Sequence, residues 1–227
     1  MSSVQFYLHN DKEGEFPRFY QYEDPDQETD LNPVYCTALH PHLALYASGG
    51  HDDRAFLFTM DGTVVMPLYA EPTAFSDAEK DSFCFSDSVT SLEFNEKGNL
   101  LAVGSMDGSV IIWDVEERSM RCILRQEEEE GEIMSISWHT KSNDILLTSL
   151  ANGFIKLWNL KSKEPQLMNI YVAGASPCNY SLWYGEGKKF LTVSDDGFLR
   201  TWDPRNTQQT NQYSMLSMGR HEECSIT

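Results

Sequence analysis

Ser105-Met-Asp107-Gly108-Ser-Val-Ile-Ile-Trp113-Asp114 recurs as Leu150-Ala-Asn152-Gly153-Phe-Ile-Lys-Leu-Trp158-Asn159 and again as Ser194-Asp195-Asp196-Gly197-Phe-Leu-Arg-Thr-Trp202-Asp203. In each copy an Asp or Asn precedes a Trp by six residues. A degenerate copy, Gly50-His-Asp52-Asp53-Arg-Ala-Phe-Leu-Phe58, keeps the spacing and puts Phe58 at the Trp position. The aromatic positions 58, 113, 158 and 202 lie 55, 45 and 44 residues apart, so the chain is a tandem repeat with an insertion in its first interval.

Working outward, each copy is preceded by an apolar pair five residues apart: Val34/Leu39, Val89/Phe94, Ile133/Trp138 and Cys178/Trp183. The alternation in Val89-Thr-Ser-Leu-Glu-Phe94 and the β-branched run Val110-Ile-Ile-Trp113 predict strands, with turns at Asn95-Glu-Lys-Gly98 and Gly185-Glu-Gly187. Four antiparallel, all-β units follow. The Asp-Gly pair has a local reason: Gly takes the positive φ of a tight turn while the carboxylate caps backbone N–H groups, and the Trp is expected to cover the turn. Asp107, Asn152 and Asp196, with Trp113, Trp158 and Trp202, are therefore expected to be structural.

These blocks resemble the WD40 superfamily over residues 34–203. The resemblance implies a β-propeller fold of four four-stranded antiparallel blades, at about 31–69, 86–126, 130–170 and 175–210, which form a partial ring. Residues 1–30 are expected to be an acidic, largely flexible segment, and 211–227 a tail or the start of a further blade. Blades missing from a full ring would come from another chain or a longer isoform. Where the superfamily often carries a His before each blade, this chain has Asp30, Phe85, Glu129 and Gly174.

Within the superfamily, Ser48-Gly-Gly-His-Asp-Asp-Arg-Ala-Phe56, Asp87-Ser-Val-Thr90 and Trp138-His139 look similar to the angio-associated migratory cell protein family, which includes a fungal ribosome-assembly chaperone. That resemblance implies a chaperone shielding a basic large-subunit ribosomal protein.

Charge points the same way. The 227 residues carry 17 basic and 35 acidic side chains, a net charge of −18, which repels phosphate backbones and attracts cations. A basic protein partner is expected, and direct nucleic-acid binding is not. The superfamily pattern puts the Asp turns and the blade linkers on one face. That face would gather Asp52, Asp53, Asp107, Asp195, Asp196 and the run Glu127, Glu128, Glu129, Glu130, with Glu132, Asp77, Glu79, Asp81 and Asp87. The opposite face would gather Lys97, Lys141, Lys161, Lys163, Lys188 and Lys189.

The five cysteines are scattered singly with no Cys-x-x-Cys spacing, fitting reduced thiols in a cytosolic or nuclear setting. No apolar run suits a membrane span and no signal peptide is read at Met1. Phosphate-loop, hydrolase and zinc-protease motifs are absent from the sequence, and no cofactor or enzymatic activity is expected. His40 and His42 fall at the other end of their repeat from His51, Asp52 and Asp53, so a metal site is not expected. Trp202-Asp203-Pro204-Arg205 matches a Trp-Asp-x-Arg box, giving a second expectation: a substrate receptor of a cullin-RING ubiquitin ligase with Arg205 at the adaptor.

Overall fold

A computed structural model describes residues 33–68, 85–125, 131–162, 164–206 and 209–214. Among these described residues sixteen strands form four sheets, each a meander in sequence order. Blade 1 holds β1 (Val34–Leu39), β2 (Leu45–Gly50), β3 (Ala55–Thr59) and β4 (Val64–Pro67). Blade 2 holds β5 (Val89–Phe94), β6 (Leu100–Ser105), β7 (Ser109–Asp114) and β8 (Ser119–Arg125). Blade 3 holds β9 (Ile133–Trp138), β10 (Ile145–Leu150), β11 (Phe154–Asn159) and β12 (Gln166–Val172), and blade 4 holds β13 (Cys178–Tyr184), β14 (Lys189–Ser194), β15 (Phe198–Trp202) and β16 (Gln209–Ser214). The four apolar pairs of the sequence open the first strands. β16 runs past residue 210, so part of the stretch expected to be a tail is the outer strand of blade 4.

Period-two alternation gives each sheet two apolar faces, and the faces that meet at the three seams between successive blades are buried there. Leu101, Val103, Ile111 and Trp113 of blade 2 pack back on Ala47, Leu57 and Met66 of blade 1. Ala102, Ile112 and Leu124, on the other face of blade 2, pack on Ile133, Trp138, Leu146 and Trp158 of blade 3. Leu147, Leu157 and Tyr171 of blade 3 then meet Trp183, Phe190 and Trp202 of blade 4. First strands of successive blades lie side by side, and outer strands β4, β8, β12 and β16 each end their sheet.

Polar groups stitch the inner strands together. Ser91 Oγ accepts from Ile136 N at 3.1 Å, and Ser135 Oγ accepts from Ser181 N at 3.3 Å. The Trp138 indole donates to the Glu93 carbonyl at 2.9 Å, and the Trp183 indole donates to the Ser137 carbonyl at 3.3 Å. The same position therefore repeats the same bond one blade further on.

Connections alternate between two ends. Among the described residues, the second turn of every blade and the ends of the strands that lead from one blade to the next lie at one end, here the upper face; the first and third turns lie at the lower face.

Candidate functional site

The upper turns are built by the Asp-Gly pairs. Asp107 Oδ1 accepts from Ser109 N at 2.8 Å, Asn152 Oδ1 from Phe154 N at 3.1 Å, and Asp196 Oδ1 from Phe198 N at 3.1 Å. Gly108, Gly153 and Gly197 follow with φ near +80°. Blade 1 breaks this rule: Asp53 stands in the glycine position with φ of 60°, a conformation costly for a residue with a Cβ.

The Trp residues do not cover these turns, contrary to the sequence expectation. Six extended residues span roughly 20 Å, so each Trp sits at the lower end of its strand. There Trp113 pairs with Leu101, Trp158 with Leu146 and Trp202 with Phe190. The Trp158 indole donates to Thr148 Oγ1 at 3.1 Å, and the Trp202 indole to Thr192 Oγ1 at 2.9 Å. Val103 holds the equivalent place in blade 2, and Trp113 Nε1 is buried without a partner.

Residues absent from the sequence argument replace the missing histidines. In blade 2, Ser86 N donates to Asp107 Oδ2 at 2.9 Å, while Phe85 is buried in the core between blades 1 and 2. In blade 4, Arg200 reaches Asp196 with both terminal nitrogens, at 3.1 and 2.5 Å, and this bond holds the carboxyl below its usual range. A side chain at Gly174 would press on Asp196 Oδ2, so the glycine leaves room for the pair. Alternation could have found Arg200, since it lies on the same face as Trp202. Asp30 and Glu129 lie outside the described residues.

The acidic residues of the upper face are unequal. Asp196 is neutralised by Arg200, and Asp195 accepts a bond from Asn179. Asp52, Asp53, Asp87 and Asp107 instead converge where blades 1 and 2 meet: burial first, then the like charges of Asp87, Asp52 and Asp107, raise the Asp53 carboxyl above its ordinary value. Beside them His51 Nδ1 lies 3.1 Å from Ser88 Oγ. Glu127, Glu128, Glu129, Glu130, Asp77, Glu79 and Asp81 lie outside the described residues, as does Lys163.

The lower face carries Lys97, Lys141, Lys161, Lys188 and Lys189 as the sequence suggested, but acids share it. Lys141 pairs with Glu96 at 3.8 Å and Lys188 with Glu186 at 3.6 Å, while Asp114, Glu116 and Glu117 share this end. Third turns carry acids that the superfamily mapping had not counted. Arg205 projects from the last of these turns with 86% of its side chain exposed, and its guanidinium holds Asp203 at 2.6 Å. That contact keeps the Asp203 carboxyl down at about 2.

The histidines are engaged structurally. His40 Nδ1 accepts from His42 N and Leu43 N, and its ring is hydrogen-bonded to the Gly98 backbone of blade 2. His139 Nδ1 accepts from Lys141 N and Ser142 N, while its Nε2 meets the Gly187 carbonyl of blade 4 at 3.1 Å. Cys36, Cys122 and Cys178 are free thiols; burial pushes them up to about 12, 11 and 11, far from nucleophilic thiolates.

Residues 2–181 match the family described as nucleolar protein 10-like, N-terminal domain, a β-propeller. The chain belongs to that family. It is also similar to curated WD-repeat relatives. The human angio-associated migratory cell protein is 25% identical over 172 residues, 75% of this chain and 35% of that protein. The protein transport protein SEC31 of Dictyostelium discoideum is 33% identical over 129 residues, 52% of this chain and 9% of that protein. The chain thus spans at most about a third of the length of these two relatives. Among solved structures, Saccharomyces cerevisiae Sqt1 superposes with a TM-score of 0.66 at 17% identity, over 83% of this chain and 50% of that one, which supports the fold. The WD40-type propeller and the likeness to the angio-associated migratory cell protein are therefore both found.

Proposed function

We propose that this chain is a non-enzymatic protein-binding scaffold whose upper face captures a basic client, acting as a chaperone for a protein such as a large-subunit ribosomal protein. The observation that carries the reading is the convergence of Asp52, Asp53, Asp87 and Asp107 at one corner, where burial first and then the like-charged neighbours raise the Asp53 carboxyl. A lysine or arginine seated there relieves that repulsion, and the net charge of −18 steers it in. Asp53 adds to the argument. Its strained turn position carries a charge where the other three upper turns carry glycine, a cost consistent with a functional role. The nucleolar name of the family fits a client met during ribosome assembly, in a nuclear or cytosolic compartment.

The experiment is affinity purification of the tagged protein from its own cells at low and high salt. A basic ribosomal protein should co-elute, leave at high salt, and be lost when Asp52, Asp53 and Asp87 are changed to Asn. Capture unchanged by salt and by these substitutions would sink the reading.

A second reading rests on Arg205, which Asp203 props into solvent at the lower face. In it the chain is a substrate receptor of a cullin-RING ligase. Co-purification of a ligase adaptor that survives Arg205→Ala would exclude that role for the residue.

A further inference from the structure

Among the described residues the outer strand of each blade is a free sheet edge, and three of the four are protected. β4 is only four residues long and ends in Pro67, β16 presents Gln209, Thr210, Asn211 and Gln212, and β8 carries the charged residues Arg121 and Arg125. β12 is different. Its seven residues, Gln-Leu-Met-Asn-Ile-Tyr-Val, include no charge and no proline, and Leu167, Met168, Ile170 and Val172 are 44%, 50%, 41% and 56% exposed.

The ladder shows where the backbone groups of β12 point. Ala173 N donates to the Gly153 carbonyl at 2.9 Å, so residue 173 pairs inward and, two residues apart, so do Tyr171 and Asn169 opposite Ile155 and Leu157. The N–H and C=O groups of Ile170 and Val172 therefore turn outward, away from β11. Their side chains lie on the face that also carries Phe154, Lys156 and Trp158, extending the blade 2 to blade 3 seam to the rim. Below, Arg121 spans the seam from β8 to the Leu160 carbonyl at 2.8 Å and closes its lower end.

We propose that the β12 edge is a docking site for an extended segment of a partner protein, which adds as a fifth strand to blade 3. An added strand pairs with a whole row of outward N–H and C=O groups at once, and apolar side chains at its alternate positions match Ile170 and Val172. The edge is about 23 Å long, room for six or seven partner residues. Edge-to-edge pairing with a second copy would bring two chains of net charge −18 together, whereas a segment flanked by lysine or arginine is attracted.

The probe is a short fluorescent peptide of alternating valine and threonine with two lysines at each end, titrated into the full chain and followed by anisotropy. Binding should weaken at least tenfold in Ile170→Lys and in the gentler Val172→Thr, each checked for native circular dichroism. It should vanish when alternate peptide amides are N-methylated, which removes strand pairing and keeps the side chains. The proposal is overturned if the N-methylated peptide binds equally well, or if Asp52→Asn with Asp53→Asn abolishes binding while the β12 variants do not. It is equally overturned if the protein is a dimer that Ile170→Lys dissociates, for then the edge belongs to a second copy.

Discussion

At Val103 a single methyl replaces the hydroxyl that Thr148 and Thr192 offer to the Trp of their blades, and Trp113 Nε1 is left buried and unpaired. Val103→Thr should restore the bond and raise unfolding stability by about 0.5–1 kcal/mol in urea denaturation. If the new hydroxyl found no indole, stability would instead fall, since an unpaired buried polar group costs about 1–3 kcal/mol. Asp53 offers the opposite trade. Asp53→Gly should gain roughly 1 kcal/mol by freeing a positive φ and removing a like charge, yet weaken capture of a basic client. Thermal unfolding and client binding measured on the same variant separate the two effects.

Between elements, the first lower turns are clasped blade to blade by one recurring device. His40 binds the Gly98 backbone, Asn95 Nδ2 donates to the Asn143 carbonyl at 3.5 Å, and His139 Nε2 meets the Gly187 carbonyl. Gly98 and Gly187 are needed because a Cβ at either would enter the imidazole ring that packs on it. An amide already serves at one seam, so His139→Asn should be tolerated while His139→Ala should cost about 1–3 kcal/mol in chemical denaturation. Burial lowers both histidines below their usual value, so their contribution is present above about pH 6.5 and fades as the pH falls and the rings must charge. Glu93 has the opposite sign. Burial between blades 2 and 3 raises it from 4.5 to about 7, despite the bond it accepts from Trp138 N. The folded state therefore holds its proton more tightly, and stability is lost as the pH rises from about 4.5 to about 7. Glu93→Gln should remove that slope and exceed the wild type above pH 7 by on the order of 2 kcal/mol, read from denaturation at several pH values.

Across the whole molecule, 35 acids on 227 residues set self-repulsion against client attraction. Raising salt from about 0.05 to 0.5 M shrinks the Debye length severalfold, so the melting temperature should rise while affinity for a basic client falls. A parallel rise in both would show that the client is held by apolar contact and not by charge. The repeat alone determined the propeller, the four blades and their first strands. Asx turns, positive-φ glycines and period-two alternation act within a few residues, so they are written in any one copy. Tertiary structure decided the rest. Asp196 and Asp53 occupy neighbouring positions of equivalent turns, but Asp196 meets an arginine four residues on in its own blade, whereas the packing of blades 1 and 2 sets Asp87 and Asp107 against Asp53 across a seam. The lower face became mixed because first and third turns alike bring acids beside the lysines, and among the described residues β12 became an open apolar edge because no further strand of the sheet follows it. A charge or an edge takes its meaning from what lies beside it in space, and for Asp53 the neighbours Asp87 and Asp107 are tens of residues away along the chain.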